Sequence, residues 1–223
     1  MKMDYELIHH GESTVEISLG KSIDMKINLV IHALFSFLTD NLDNRTNYIV
    51  DFYPTYHSIF IDFNELETDF YHIKQKIDEL IKEFEIIGFD DNSKKEIINI
   101  PVSYGGKDGF DLEKLSSIVG LSEKEVIQIH TKPLYKVFLI GFMPGFPYLG
   151  GLDKRISCLR LETPRSKVPE GSVGIAGDQT GIYPFATPGG WRIIGKTELK
   201  LFEIDKIPPT KIPTGSFVKF IEV

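Results

Sequence analysis

Seventeen of the 55 residues from position 141 to position 195 are glycine or proline. That density excludes a regular helix, because proline fixes φ and removes a donor, and glycine gives up the most chain entropy on ordering. Unmixed, such a composition belongs to a disordered tract. Here it is mixed with large apolar side chains, among them Phe146, Tyr148, Val173, Ile182, Trp191 and Ile193. Turn residues every few positions between bulky apolar ones predict short strands closed into a compact β barrel, with loops stiffened by proline.

Upstream the pattern differs. Residues 14–19 alternate with period two, as a half-buried strand does. Asn28 reads as the N-cap of a helix carrying Leu29, Ile31, Leu34, Phe35 and Leu38. Residues 48–53 and 58–63 read as strands joined by a turn at Pro54 and Thr55. From about Glu67 a long helix places Ile73, Ile77, Leu80, Ile81 and Phe84 on one face and stops at Gly88. Residues 96–102 read as one more strand. The order β-α-β-β-α-β is the split βαβ arrangement of ferredoxin-like folds. Two short helices follow, 111–119 and 123–129, separated by Gly120, with Ser122 and Glu125 forming a capping box for the second. The expected class is α+β: a ferredoxin-like domain over residues 1–95, then a β-barrel domain over residues 96–223, with the boundary somewhere between Asp90 and Gly106.

The charge excludes some partners. The chain has 25 Lys and Arg against 32 Asp and Glu, a net charge of −7. Residues 1–88 hold 7 basic and 16 acidic side chains, and residues 89–223 hold 18 and 16. Neither part offers the basic face that displaces counterions from phosphate, so no nucleic-acid partner is expected. The one cysteine, Cys158, excludes an internal disulfide and a zinc site built on paired thiolates. The first residues carry Asp4 and no apolar segment, so they do not read as a signal peptide. The longest apolar stretch, 29–38, is too short to span a bilayer. The expectation is a cytoplasmic protein without a membrane partner.

Residues 190–197 fit the phosphate-loop pattern G-x-x-x-x-G-K-[ST] letter for letter. Such a loop needs a strand before it and a helix starting at its Lys-Thr. Here a turn-like stretch precedes, residues 197–204 alternate as a strand does, and Trp191, Ile193 and Ile194 are too bulky for backbone amides to wrap a phosphate. A barrel strand is the better reading. The six histidines show no metal-ligand spacing, and no metal is expected. His130 ends the capped helix, where the helix terminus favours an imidazolium; a functional and a structural role stand even for it. There is no G-x-S-x-G elbow, and Cys158 has no neighbouring histidine in sequence, so no nucleophile is visible. The loops do offer Arg165, Gln179, Tyr183 and several glycine amides. Brought to one face, these suit a small carboxylate or amide, with a guanidinium for the carboxylate and amides for an oxyanion. The same residues read equally well as turns with a surface arginine.

The runs GFMPGFPYLGGLD (141–153), TPRSKVPEGSVGIAGDQTGIYP (163–184) and TPGGWRIIGKT (187–197) strongly resemble the bacterial 5-oxoprolinase B-subunit family. That family includes a sporulation kinase inhibitor and is related to allophanate hydrolase subunit 1 and the urea carboxylase carboxyltransferase region. The likeness reaches back through His130, Thr131 and residues 102–106 and, more weakly, into residues 50–58. It implies a cyclophilin-like fold for the barrel domain, partner subunits A and C, and an assembly that opens 5-oxo-L-proline to L-glutamate using ATP. With no ATP motif on this chain, no cofactor is expected here and the nucleotide falls to another subunit. The half-site expected with this resemblance has His130 as acid/base or orienting group, Arg165 on the carboxylate, and Gln179 and Tyr183 as polar anchors. Pro144, Gly145, Pro188, Gly189, Gly190 and Trp191 would line the substrate. A second reading is an inhibitor docking on a histidine kinase, which needs only an exposed apolar patch. Prolyl isomerase activity would rest on fold analogy alone. The chain departs from the family at Phe110, where proline is more usual, and at residues 214–217; both are expected to lie outside the site.

Overall fold

The computed structural model describes residues 2–42, 48–88 and 96–223. The chain divides into two compact units, Met1–Ser93 and Lys94–Val223. The boundary expected at residues 95 and 96 adjoins a stretch, 89–95, that lies outside the described residues.

The first unit runs β1 (Glu6–His10), β2 (Thr14–Ser18), α1 (Met25–Leu42), β3 (Ile49–Pro54), β4 (Ser58–Phe63) and α2 (Phe70–Ile87). Its sheet order is β1-β2-β4-β3, and every pair is antiparallel. Strands β2 and β3 are therefore parallel, joined through α1, with β4 between them: the split βαβ of a ferredoxin-like fold. The edge beside β2 is filled by β1, whereas the alternation pattern assigned that place to residues 96–102. The signal failed because period-two alternation needs a buried face, and β1 leaves its side chains exposed or half-exposed. Val15, Ile17, Ile59 and Ile61 pack against Leu34, Leu38, Ile77 and Ile81 to make this unit's core.

The helix ends follow their caps. Asp69 caps α2 by accepting from the His72 amide, and Gly88 closes it at φ 80°. Helix α1 begins three residues before the expected cap. Asp24 takes that role, accepting from the amides of Lys26 and Ile27 at 2.8 and 3.0 Å. Asn28 is instead buried inside the helix, donating to the carbonyls of Thr55 and Tyr56 at 3.2 and 3.1 Å and so pinning the β3–β4 turn.

The second unit begins with β5 (Ile97–Tyr104), α3 (Leu112–Val119), α4 (Glu123–Thr131), β6 (Tyr135–Ile140) and β7 (Pro147–Gly150). It continues with β8 (Arg165–Val168), β9 (Ser172–Ala176), β10 (Gln179–Ile182), β11 (Thr187–Gly189), β12 (Arg192–Lys196) and β13 (Phe217–Glu222). Seven strands close a barrel in the order β10-β7-β6-β13-β5-β12-β9. The fold class is thus the expected one, a ferredoxin-like unit followed by a cyclophilin-like barrel. The phosphate-loop look-alike is strand β12, and its Lys196 pairs with Glu198 at 2.6 Å. The capping box at Ser122 and Glu125 starts α4 as expected. Ile100, Val137, Leu149, Ile175, Ile182 and Val218 are among the side chains that fill the interior. Strands β8 and β11 form a two-stranded sheet of their own, apart from the barrel sheet.

Candidate functional site

Strand β10 separates the inside of the barrel from its outer wall. Thr180 and Ile182 face in, Thr180 bonding to His130 and Ile182 joining the interior cluster. By strand alternation Gln179, Gly181 and Tyr183 share the outer face. Gly181 sits opposite Gly174 of β9. A Cβ on Gly181 would stand 2.9 Å from Phe146, and one on Gly174 would stand 3.0 Å from the Cβ of Trp191. The two missing side chains make room for a second, smaller cluster that holds Phe146, Val168, Tyr183, Trp191 and Ile193. The Phe146 ring meets Tyr183 and Trp191 edge-on, at 5.2 and 5.4 Å between centroids.

Polar groups border this aromatic cluster. Burial pushes the Tyr183 phenol up, while the Trp191 backbone N–H bonded to it and the charges of Arg160 and Arg165 act in the other direction. Burial also raises the Tyr148 phenol, and Arg160 opposes that rise. Two guanidinium groups therefore act on the phenols. Gly189 lies so near Tyr183 that a Cβ there would be 2.5 Å from the phenol oxygen.

Arg165 opens β8 opposite Gly189. One terminal nitrogen, Nη2, donates to Asp111 Oδ1 at 2.5 Å, and the guanidinium lies 4.7 Å from the centroid of the Phe110 ring. The other carboxylate oxygen of Asp111 accepts from the Ile193 amide at 2.7 Å, and the Asp111 amide donates to the Ile193 carbonyl at 2.8 Å. Asp111 precedes α3 in the N-cap position, yet its side chain makes no capping bond; it is spent on Arg165 and β12 instead. The remaining terminal nitrogen, Nη1, is buried with no hydrogen-bond partner among the described residues. Phe110 therefore belongs to the site, contrary to the expectation that this departure from the family lay outside it.

Arg160 is held from both sides. Cys158 bridges to Gly177, the Leu159 carbonyl accepts from Arg192 Nε at 2.9 Å, and the Leu161 amide donates to the Gly190 carbonyl at 2.7 Å. Arg160 itself is exposed, and no carboxylate among the described residues pairs with it.

The other expected residues divide. Trp191 is part of the cluster, at 7% exposure, and Gly190 precedes it. Pro188 is exposed on β11. Gln179 lies on the same wall as Tyr183 but at the far end of β10, about 13 Å along the strand at ~3.3 Å per residue. Pro144 is exposed, while Gly145 is buried at φ 81° against Phe202. Their loop reaches the cluster through Phe146, which belongs to it, and Met143, which packs against it. Its tip, Phe142, holds φ 65°, the only positive φ of a non-glycine residue among those described.

His130 is a correction. It is 0% exposed, inside the barrel, with Nδ1 2.7 Å from the Tyr104 hydroxyl and Nε2 3.0 Å from Thr180 Oγ1. Burial lowers its pKa to about 3, so the imidazolium favoured by a helix terminus does not form near neutrality. Both ring nitrogens serve the interior, and the ring touches no pocket mouth. The residues that sequence reasoning missed are Asp111, Phe110, Arg160 and Tyr148. Phe110 reads from sequence only as a departure from the family, expected to lie outside the site, and Asp111 only as the first residue of a short helix. Among the described residues no three of His, Cys, Asp and Glu group to hold a metal ion, and no described helix is long and apolar enough to cross a membrane.

Residues 5–212 match the family described as carboxyltransferase domain, subdomain C and D. The chain is 39% identical over 233 aligned positions to the 5-oxoprolinase B-subunit of Bacillus subtilis, covering 100% of this chain and 95% of that one. The chain belongs to the 5-oxoprolinase B-subunit family. A second family member, from Haemophilus influenzae, is 43% identical over 159 positions, 71% of this chain and 73% of that one. The solved structure of TTHA0988 matches with a TM-score of 0.80 at 28% identity, covering 96% of this chain. This family member spans only 40% of that longer neighbour.

Proposed function

We propose that this chain is the B-subunit of a multi-subunit, ATP-dependent 5-oxoprolinase whose assembly opens 5-oxo-L-proline to L-glutamate. The observation that carries the reading is the 39% identity to a 5-oxoprolinase B-subunit along the whole chain. Opening the ring breaks the lactam C–N bond, gives the carbonyl carbon the oxygen of one water and leaves the nitrogen as an amine. Amide resonance resists attack, so the carbonyl must be polarised, and ATP hydrolysis supplies the driving force from another subunit.

In this reading the chain contributes a half-site on the outer barrel wall. Arg165 Nη1 and the backbone amides at Gly189 and Gly190 donate to the lactam carbonyl, Tyr183 anchors beside them, and Phe146 and Trp191 cover the apolar ring edge. Subunits A and C complete it, and the reading carries a cytoplasmic location with it. No observation favours the kinase-inhibitor alternative. The test is co-expression of the three subunits and measurement of 5-oxoproline-dependent ATP hydrolysis. Arg165→Ala is expected to lower kcat/KM by about 10²-fold, the scale of losing one donor to a developing oxyanion. Unchanged turnover would remove the half-site.

A further inference from the structure

The two guanidinium groups beside the phenols differ in charge balance. Arg165 faces Asp111, which is 5% exposed and 2.5 Å away. A second carboxylate brought to Arg165 would meet the Asp111 charge at close range, in a partly buried setting where solvent screens little. What Arg165 keeps is one buried donor in a nearly neutral pair, which suits a neutral acceptor such as an amide carbonyl. Arg160 has no compensating carboxylate among the described residues. Its neighbours on either side are tied to Arg192 and Gly190, so its backbone position on the rim of the Trp191 cluster is fixed.

From this asymmetry we infer that Arg160, not Arg165, is the residue that binds the carboxylate of the substrate, leaving Arg165 to hold the carbonyl. The inference rests on the reading of the chain as part of a 5-oxoprolinase and names the specificity residue within that site. It makes the site selective for lactams bearing an anionic group next to the ring nitrogen. Both phenols are raised by burial; the charges of both arginines act against that rise at Tyr183, and that of Arg160 also at Tyr148.

The test uses the assembled enzyme with two ligands, 5-oxo-L-proline as substrate and the neutral 5-oxo-L-prolinamide as competitor. For Arg160→Gln, the KM for 5-oxo-L-proline is expected to rise by about tenfold or more, the scale of losing a hydrogen bond to a charged group. The inhibition constant of the neutral amide should stay put, and kcat should change less than KM. Arg160→Lys keeps the charge and should recover part of the KM. Because Arg160 is exposed, neither variant is expected to impair folding, and the amide's inhibition constant reports an intact site. An unmoved KM, or a parallel rise for acid and amide, overturns the assignment. So does an Arg165→Ala enzyme that loses the preference for acid over amide while Arg160→Gln retains it. An assembly with no 5-oxoproline-dependent turnover at all would instead refute the function itself, and this assignment with it.

Discussion

His130 shows how far a residue's role depends on what surrounds it. A histidine in the last turn of a helix reads from sequence as a cation near a negative helix end. The structure buries it among Tyr104, Tyr135 and Phe220 and gives both ring nitrogens neutral partners. Desolvation outweighs the helix end, and the imidazole stays neutral down to about 3. Unfolded, the same group takes its proton near 6.5. Between those values the unfolded chain binds more protons than the folded one. The stability due to neutral His130 is therefore complete above about 6.5 and is lost as pH falls toward 3, at roughly 1.4 kcal/mol per pH unit. Urea midpoints from pH 7 to pH 5 should fall more steeply for the native chain than for His130→Gln, which cannot titrate; equal slopes would remove this account. Asp111 teaches the same lesson at the site. Its place at the start of a helix was legible, but not its bonds to Arg165 and Ile193, because those partners lie 54 and 82 residues away in sequence.

Elements were legible where a local rule decided them. The capping box of α4, the glycine after α2 and the strand nature of residues 192–196 all follow from neighbours within a few positions. Strand β1 and the start of α1 did not follow, because an exposed edge strand lacks alternation and Asp24 competed with Asn28 for the cap. The candidate site depends on a pairing between elements: Gly181 of β10 opposite Gly174 of β9, with rings laid over both. The glycines were visible in sequence as turn signals, whereas their use as a floor required the register. Gly181→Ala places a methyl 2.9 Å from both Phe146 and the Pro147 carbonyl. The backbone oxygen cannot rotate away, so the cluster must shift. The expected cost is about 1–3 kcal/mol, as for other overpacked interiors. Near-UV circular dichroism should lose part of its Trp191 signal while the far-UV spectrum is kept; a variant with native near-UV bands would show that the floor tolerates a side chain.

At the scale of the molecule, each unit has its own interior. Among the described residues, the cluster of the first unit draws on residues 3–84, and the two clusters of the barrel unit draw on residues 98–220. Within the barrel, the last strand is not peripheral. Strand β13 lies between β5 and β6, parallel to β5 over six residue pairs and antiparallel to β6. Val218 and Phe220 of that strand are buried in the interior cluster. The sequence announced the barrel through its glycines and prolines, but a short apolar strand far from those loops carried no sign that it closes the sheet. Trp191 is the one tryptophan of the chain and belongs to the barrel unit. Its fluorescence therefore reports on that unit. A fragment of residues 96–223 keeps every described residue of both barrel-unit clusters and should unfold cooperatively in urea, as followed by Trp191 emission. The same fragment ended after Ser216 leaves β5 and β6 without the strand that joins them, exposing apolar surface and unpaired backbone at two edges. It should show no cooperative transition and red-shifted emission before any denaturant is added. A cooperative transition in that shortened fragment would mean that the barrel closes without β13, and the topology as a source of stability would have to be given up.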